Sequence, residues 1–273
     1  MIKSVIRSIL NKSVNRHRFN DSIIYNCYIQ IFKPKYAKLK RIEKEFYRSL
    51  LSKSRENIVF DIGANAGSKT KIFLNFVKEV VSVEASPGTL SILQQRFIGN
   101  HRVHLVGKAC GAAEGTAQIH SFGDDDSYNT LSNKWLEELT QSGSIDPNVS
   151  PRVIATGIVD NIPVTTLDAL IAEYGAPYYI KIDVEGFELE VIKGLSAKIK
   201  LISMECNLPT FKQETINIID ILSKRDPSAT YNFVTVDPPV TFQANRWLTS
   251  EEIVKVGDDA RFSYMELYYR ASD

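Results

Sequence analysis

"NIVFDIGANAGSKTKIFLNF", residues 57–76, runs from an apolar stretch into one acidic residue, Asp61, and then into a turn of small residues. An apolar strand, a turn holding Gly63 and Gly67 and the start of a helix make a site for a nucleotide-like ligand. Glycine lets the backbone approach the ligand closely, and N–H groups left free by the turn are expected to point outward. Asn65 lies in the same turn and joins the residues expected to hold that ligand. The spacing is D-x-G-x-x-x-G, whereas a dinucleotide site has G-x-G-x-x-G. A carboxylate at this point repels a pyrophosphate and tolerates a cation.

Outward from this stretch, strand and helix patterns alternate, which signals βαβ units and a parallel sheet. "NIVFDIG" reads as the first strand and residues 71–79 as a covering helix, with Ile72, Phe73, Phe76 and Val77 on one stripe. "VVSVEAS" is the second strand, followed by a helix from Pro87 to Phe97, and "RVHLVGKACG" is the third. Residues 111–151 read as a long loop. "IPVTTLDALIAEYG" gives a short extended piece and a helix capped by Thr166 or Asp168. "YYIKIDVEG" and "KLISMECN" are the fourth and fifth strands, with a helix over 188–195 between them, and "YNFVTVD" and "SYMELYYRA" close a set of seven. Glu84 ends the second strand, where it can accept hydrogen bonds from both hydroxyls of a ribose. S-adenosylmethionine unites a ribose with a sulfonium and an ammonium and suits Asp61 and Glu84 together. A nicotinamide-dependent oxidoreductase is the alternative, disfavoured by Asp61 and the absent third glycine.

A chain of 273 residues with 44% hydrophobic content can bury a full core. Cys27, Cys110 and Cys206 are far apart and form no zinc or disulfide pattern, which fits a reducing cytosol. Neither a signal peptide nor an 18-residue apolar run is present. The expectation is a cytoplasmic protein, with peripheral contact at the inner membrane face the alternative. Charge is unevenly spread: residues 1–55 hold fourteen Lys or Arg against Asp21, Glu43 and Glu45, an excess of eleven, so the remainder carries ten net negative charges against +1 overall. Division into a basic helical extension, 1–55, and a main domain, 56–273, follows. Ile2, Val5, Ile6, Ile9 and Leu10 recur at helical spacing among cations, the pattern of an amphipathic helix that either packs on the domain or meets anionic lipid or a lipid-linked acceptor. A second basic run, residues 33–55, places Tyr36, Leu39, Ile42, Phe46 and Leu50 on one stripe, a helix capping the core. The acidic main domain and the lack of base-stacking motifs argue against nucleic acid.

"VFDIGANAG", "TLDAL", "IKIDVEGFELEVIKG" and a following "ME" occur in that order across residues 57–208. In these blocks the chain resembles the FkbM-type S-adenosylmethionine-dependent methyltransferases. The resemblance implies an α/β fold: a Rossmann-like, seven-stranded class I methyltransferase sheet, mostly parallel with the last strand antiparallel. It also implies methyl transfer to an oxygen of a sugar, glycan or polyketide-type small molecule, and adenine contacts near Ala109 and Cys110. Lys108 departs from the pattern, standing where a smaller polar residue is expected.

Catalytic candidates belong at the carboxyl ends of the strands. Asp183 fits best as the residue that takes or orients the hydroxyl proton, and Lys181, two residues earlier on the same face, would hold it ionised. Glu185 either joins the site or caps the next helix, and Glu188 favours that helix's dipole. Glu205 could face Asp183 and offer oxygens to Mg²⁺, though no third ligand is visible in the sequence. Ser127 and Asn129, in "DDDSYNTLS", could hold the donor's carboxylate or the acceptor. His120 reads as a surface or core residue. Trp135, Trp247 and Tyr128 either stack on a sugar or fill core. A scaffold that binds cofactor without turnover is the third reading.

Overall fold

The structure, a computed structural model, describes residues 21–53, 57–121, 131–132, 134, 158–257, 262 and 264–272. The amphipathic pattern of residues 2–10 and the residues Ser127, Tyr128, Asn129 and Trp135 lie outside these.

Seven strands form the main sheet: β1 (Ile58–Ile62), β2 (Glu79–Val83), β3 (Val103–Val106), β7 (Tyr179–Ile182), β8 (Leu201–Asn207), β9 (Thr230–Val234) and β10 (Tyr264–Arg270). Their order is β3-β2-β1-β7-β8-β10-β9, and β10 alone runs against its neighbours. Strand alternation sends side chains to two faces. Phe60, Ile62, Ile180 and Ile182 face Leu167, Val191, Ile192 and Ile218 of three helices, α5 (Leu167–Tyr174), α6 (Glu188–Lys193) and α7 (Lys212–Arg225). On the other face Val59, Val80, Tyr179 and Tyr268 pack with Phe46 and Tyr47. Those two rings come from α2 (Pro34–Leu50), which follows α1 (Ile23–Phe32). Pro34 opens α2 at its first turn, where a missing N–H costs nothing. Edge-on ring contacts then run from Phe46 through Tyr47 and Phe73 to Tyr179, at centroid separations of 5.1–5.7 Å. The basic run thus supplies core, as its stripe implied, but only in its second half, since Tyr36 and Leu39 remain exposed.

Three expectations are corrected. The helix read over 71–79 is α3 (Ser68–Phe73), and Glu79 opens β2. Gly67 starts it at φ 78°, while the Asn75 side-chain amide donates to the carbonyls of Lys71 and Ile72 and stops it. Second, the third strand is two pieces, β3 and β4 (Ala109–Cys110). β4 belongs to a separate sheet of order β4-β6-β5. Third, the long loop begins as a strand, β5 (Gly115–Ser121), antiparallel to β6 (Ile158–Thr165), of which "IPVTT" is the end. The helix from Pro87 forms as expected, as α4 (Pro87–Arg96). Thr166 caps α5 by accepting from the Ala169 N–H. The remaining helix among the described residues, α8 (Ser250–Val256), is fixed by a capping box between Thr249 and Glu252.

Candidate active site

A single register row carries polar residues across the main sheet. Ser82, Asp61, Lys181 and Ser203 are successive partners on β2, β1, β7 and β8, and Tyr268 of β10 pairs with Ser203. Two residues further along those strands stand Glu84, Gly63, Asp183 and Glu205, with Glu266 opposite Glu205 on β10. The first row is buried and structural. The second opens at the carboxyl ends of the strands, where α/β sheets place ligands.

In the first row, Asp61 is buried, its Oδ2 accepts from the Thr70 hydroxyl at 2.5 Å, and burial raises its pKa despite Lys181 and Thr70. The Lys181 ammonium donates to Asp183 Oδ2 at 2.6 Å. Burial alone would lower the Lys181 pKa, but Asp183, Glu266 and Asp61 together hold it well above the usual value. Opposing burial, Lys181 and a hydrogen bond with Glu205 bring Asp183 down to about 2. Glu205, desolvated and facing Asp183, is pushed up to about 11. Asp183 is therefore ionised and Glu205 holds the proton they share.

Gly63, Asn65, Glu84, Ala109, Asp183 and Glu185 line one cleft with about 690 Å³ of empty space, counting its open mouth. The expected cofactor residues Gly63, Asn65, Glu84 and Ala109 are brought together here with the expected catalytic Asp183 and Glu185. Lys108 lines it too. Asp61, Lys181 and Gly67 stand behind the lining. A Cβ on Gly63 would sit 1.8 Å from the Asp183 carbonyl oxygen, so glycine here lets β1 and β7 close together at the cleft floor. Gly67 answers a different need: a Cβ there would meet the Phe97 and Leu93 side chains at 2.4 and 2.6 Å.

The expectation of free N–H groups in the turn is overturned. Gly63 and Ala64 both donate to the Val83 carbonyl at 2.9 Å, and Gly67 donates to Ala64 at 2.8 Å. Asn65 N–H donates to Glu84 Oε2 at 2.8 Å, and Ala66 N–H to Asn65 Oδ1 at 2.6 Å. Packing against Val83 and Glu84 consumes three of these groups, and bonds within the turn consume the other two. A pyrophosphate would find none of these donors, which counts against a dinucleotide. Glu84 Oε1 accepts from the Ser86 N–H at 2.8 Å and the Ala85 N–H also bonds this carboxylate, which with about four acceptor positions still has room for a ligand hydroxyl. Burial raises Glu84 to about 7 against those hydrogen bonds.

Beyond β7 the backbone turns at Glu185 (φ 52°) and Gly186 (φ 88°). Glu188 Oε1 accepts from the N–H groups of Val184 and Gly186, both at 3.2 Å, and so fixes the turn that presents Glu185. Among the described residues, oxygens of Asp183, Glu185 and Glu205 lie within 4.8 Å of one another. Glu185 is the third oxygen donor that sequence spacing did not reveal. A divalent cation on this trio would have to displace the proton Glu205 shares with Asp183. Sequence reading also missed Phe187 and Ile119 as lining residues. The alternation in "GTAQIHS" was the available sign for Ile119. Trp247 lies against the Arg270 guanidinium, 4.1 Å from its ring centre, and packs on Phe242.

The turn is also tied to the start of the described chain. Arg96 Nε and Nη2 donate to the two Asp21 oxygens at 2.8 Å each, while Nη1 donates to the Ala66 carbonyl. Arg96→Lys is expected to weaken cofactor affinity about tenfold, the worth of a charged hydrogen bond, with turnover at saturating cofactor unchanged. Titration calorimetry with steady-state kinetics checks this, and an equal fall in turnover would contradict it.

Among curated proteins no relative matches the chain. Similar solved structures include a precorrin-6y C5,15-methyltransferase from Geobacter metallireducens, with 10% identity, TM-score 0.42, and 84% of this chain and 87% of that one covered. A precorrin 8w decarboxylase from Methanobacterium thermoautotrophicum has 11% identity, TM-score 0.42, and 84% and 89% covered. These likenesses are too distant to bear on function. The model of the methyltransferase FkbM domain, by contrast, matches residues 61–233, well over half of the chain, spanning β1 to β9 and with them Asp61, Glu84, Asp183 and Glu205. The protein belongs to the FkbM-domain family of S-adenosylmethionine-dependent methyltransferases.

Proposed function

We propose that this protein methylates a hydroxyl oxygen of a sugar, glycan or related small molecule. The reading is carried by one observation: a single cleft is lined both by Glu84 and by Asp183 with Glu185. S-adenosylmethionine fits the residues present, because Glu84 has acceptor capacity for a ribose hydroxyl and the Gly63–Gly67 turn has no spare N–H for a phosphate. When bound, it supplies an electrophilic methyl carbon.

The chain's own residues do the rest. Glu84 fixes the ribose and so sets the reach of the donor into the cleft. Asp183 accepts a hydrogen bond from the acceptor hydroxyl and orients its oxygen. Held ionised by Lys181, its carboxylate takes that hydroxyl's proton as the new C–O bond forms and the C–S bond of the donor breaks, so that the oxygen does not keep a positive charge. Alignment of acceptor and donor is then the main source of rate, up to roughly 7–11 kcal/mol. Lys181 keeps Asp183 charged, and Glu188 keeps the Glu185 turn in shape.

S-adenosylmethionine at 100 times its dissociation constant should raise stability by about 2.7 kcal/mol, with no rise from a nicotinamide dinucleotide. Methyl transfer from labelled donor to a panel of hydroxylated acceptors, read by mass spectrometry as one added methylene, tests the reaction. Binding without any methylated product would favour a scaffold. The Glu84 pKa adds a pH signature. A ribose hydroxyl bonds more strongly to the ionised carboxylate, so cofactor affinity should rise as pH increases through about 7. Glu84→Gln should abolish that rise; calorimetry at pH 6 and pH 8 compares the two proteins.

A further inference from the structure

Six large apolar side chains are exposed on α1 and α2. Ile24, Tyr28, Ile31 and Phe32 recur along one side of α1, and Tyr36 and Leu39 continue the stripe onto α2. Ile24 is 72% exposed, and Ile31 and Phe32 are each 69% exposed. Ile98, Val236 and Val240, the other exposed large apolar residues among those described, are scattered, as on any soluble surface. Between Ser22 and Ile42 the sequence holds Lys33, Lys35, Lys38, Lys40 and Arg41 and no acid. The acids at its two ends are spent inside the protein: Asp21 on Arg96 and Lys71, and Glu43 on Lys69 at 2.6 Å. The face is therefore apolar, cationic and without a carboxylate of its own.

We propose that this face of α1 and the start of α2 lies on an anionic lipid surface. Ile24, Ile31 and Phe32 enter the boundary between headgroups and acyl chains, and Lys33, Lys35 and Lys38, all exposed, meet the anionic headgroups. Charge favours lipid over a second copy. A symmetric dimer through this face would set Lys33, Lys35 and Lys38 against the same three lysines, whereas an anionic bilayer compensates them. The inference is independent of the methyl-transfer reading, since it concerns a surface that shares no residue with the cleft.

The test is co-sedimentation of the full chain with vesicles of phosphatidylcholine alone and of phosphatidylcholine with phosphatidylglycerol, at low and high salt. Retention is expected only on the anionic vesicles and should fall as salt rises. Phe32→Asp should cut partition at least tenfold. A triple variant, Lys33→Glu, Lys35→Glu and Lys38→Glu, should cut it roughly a hundredfold, at about fivefold per lysine. Both should keep the wild-type melting temperature and cofactor affinity. The proposal is overturned if anionic vesicles retain no wild-type protein, or if the triple variant binds as well as wild type, which would assign binding to residues 1–20. It is also overturned if Phe32→Asp lowers the melting temperature, showing the stripe covered by the chain itself, or if it splits a dimer in sedimentation velocity.

Discussion

Lys181→Met is expected to cost about 3–5 kcal/mol of folding stability, the usual cost of removing one partner from a buried ionic cluster. Lys181 is buried on β7 between Asp61 of β1 and Ser203 of β8, and Asp183, Glu266 and Asp61 all draw on its charge. Without the ammonium, these carboxylates bind protons more readily in the folded state. Asp183 in the wild type, depressed to about 2, contributes stability that is present above the ordinary carboxylate pKa and lost as pH falls toward 2. In the variant that contribution is gone, and raised carboxylate pKa values make the folded form less stable as pH rises. The deficit should therefore be larger at pH 8 than at pH 5. Urea unfolding at both values measures it, and an equal deficit would show that lost packing rather than lost charge is responsible.

Asp183→Asn should lower turnover by about 10²- to 10⁴-fold while S-adenosylmethionine affinity changes little. Asparagine keeps the shape but loses the charge that orients the acceptor hydroxyl and takes its proton. It also deprives Glu205 of the carboxylate that raises its pKa, so the pH profile of the residual activity should shift downward. Single-turnover kinetics with calorimetry separates the steps. Wild-type turnover would remove Asp183 from the mechanism, and a parallel loss of cofactor binding would place it in the donor site instead.

Much of the site was written in the period-2 pattern of four strands. D-x-G, S-x-E, K-x-D and S-x-E, at Asp61, Ser82, Lys181 and Ser203, each set a buried polar residue two places before a residue of the second row. Because alternate residues share a face, the row and the rim above it were both legible. Lys181 with Asp183 could be read directly, at i and i+2 on one strand. What the sequence did not show was what depended on partners far along the chain. Three of the turn's N–H groups looked free because their acceptors, Val83 and Glu84, lie at the end of the next strand. Glu185 was legible as a helix cap or a site residue but not as a third oxygen beside Glu205, since a positive φ at a glutamate has no local signal. The small sheet was hidden for a related reason. β5 pairs with a strand forty residues later in the chain, so neither strand shows its partner locally.

The inward-looking amides of the Gly63–Gly67 turn bear on how such a cleft stays available amid competitors. ATP and NAD carry the same adenosine as the methyl donor, and both are plentiful wherever metabolism runs. A loop with hydrogen-bond donors to spare would welcome their charged tails and be clogged by them. One whose donors are already satisfied gives those tails no foothold, so selection among adenosine-bearing metabolites works by denial before any recognition of the sulfur begins.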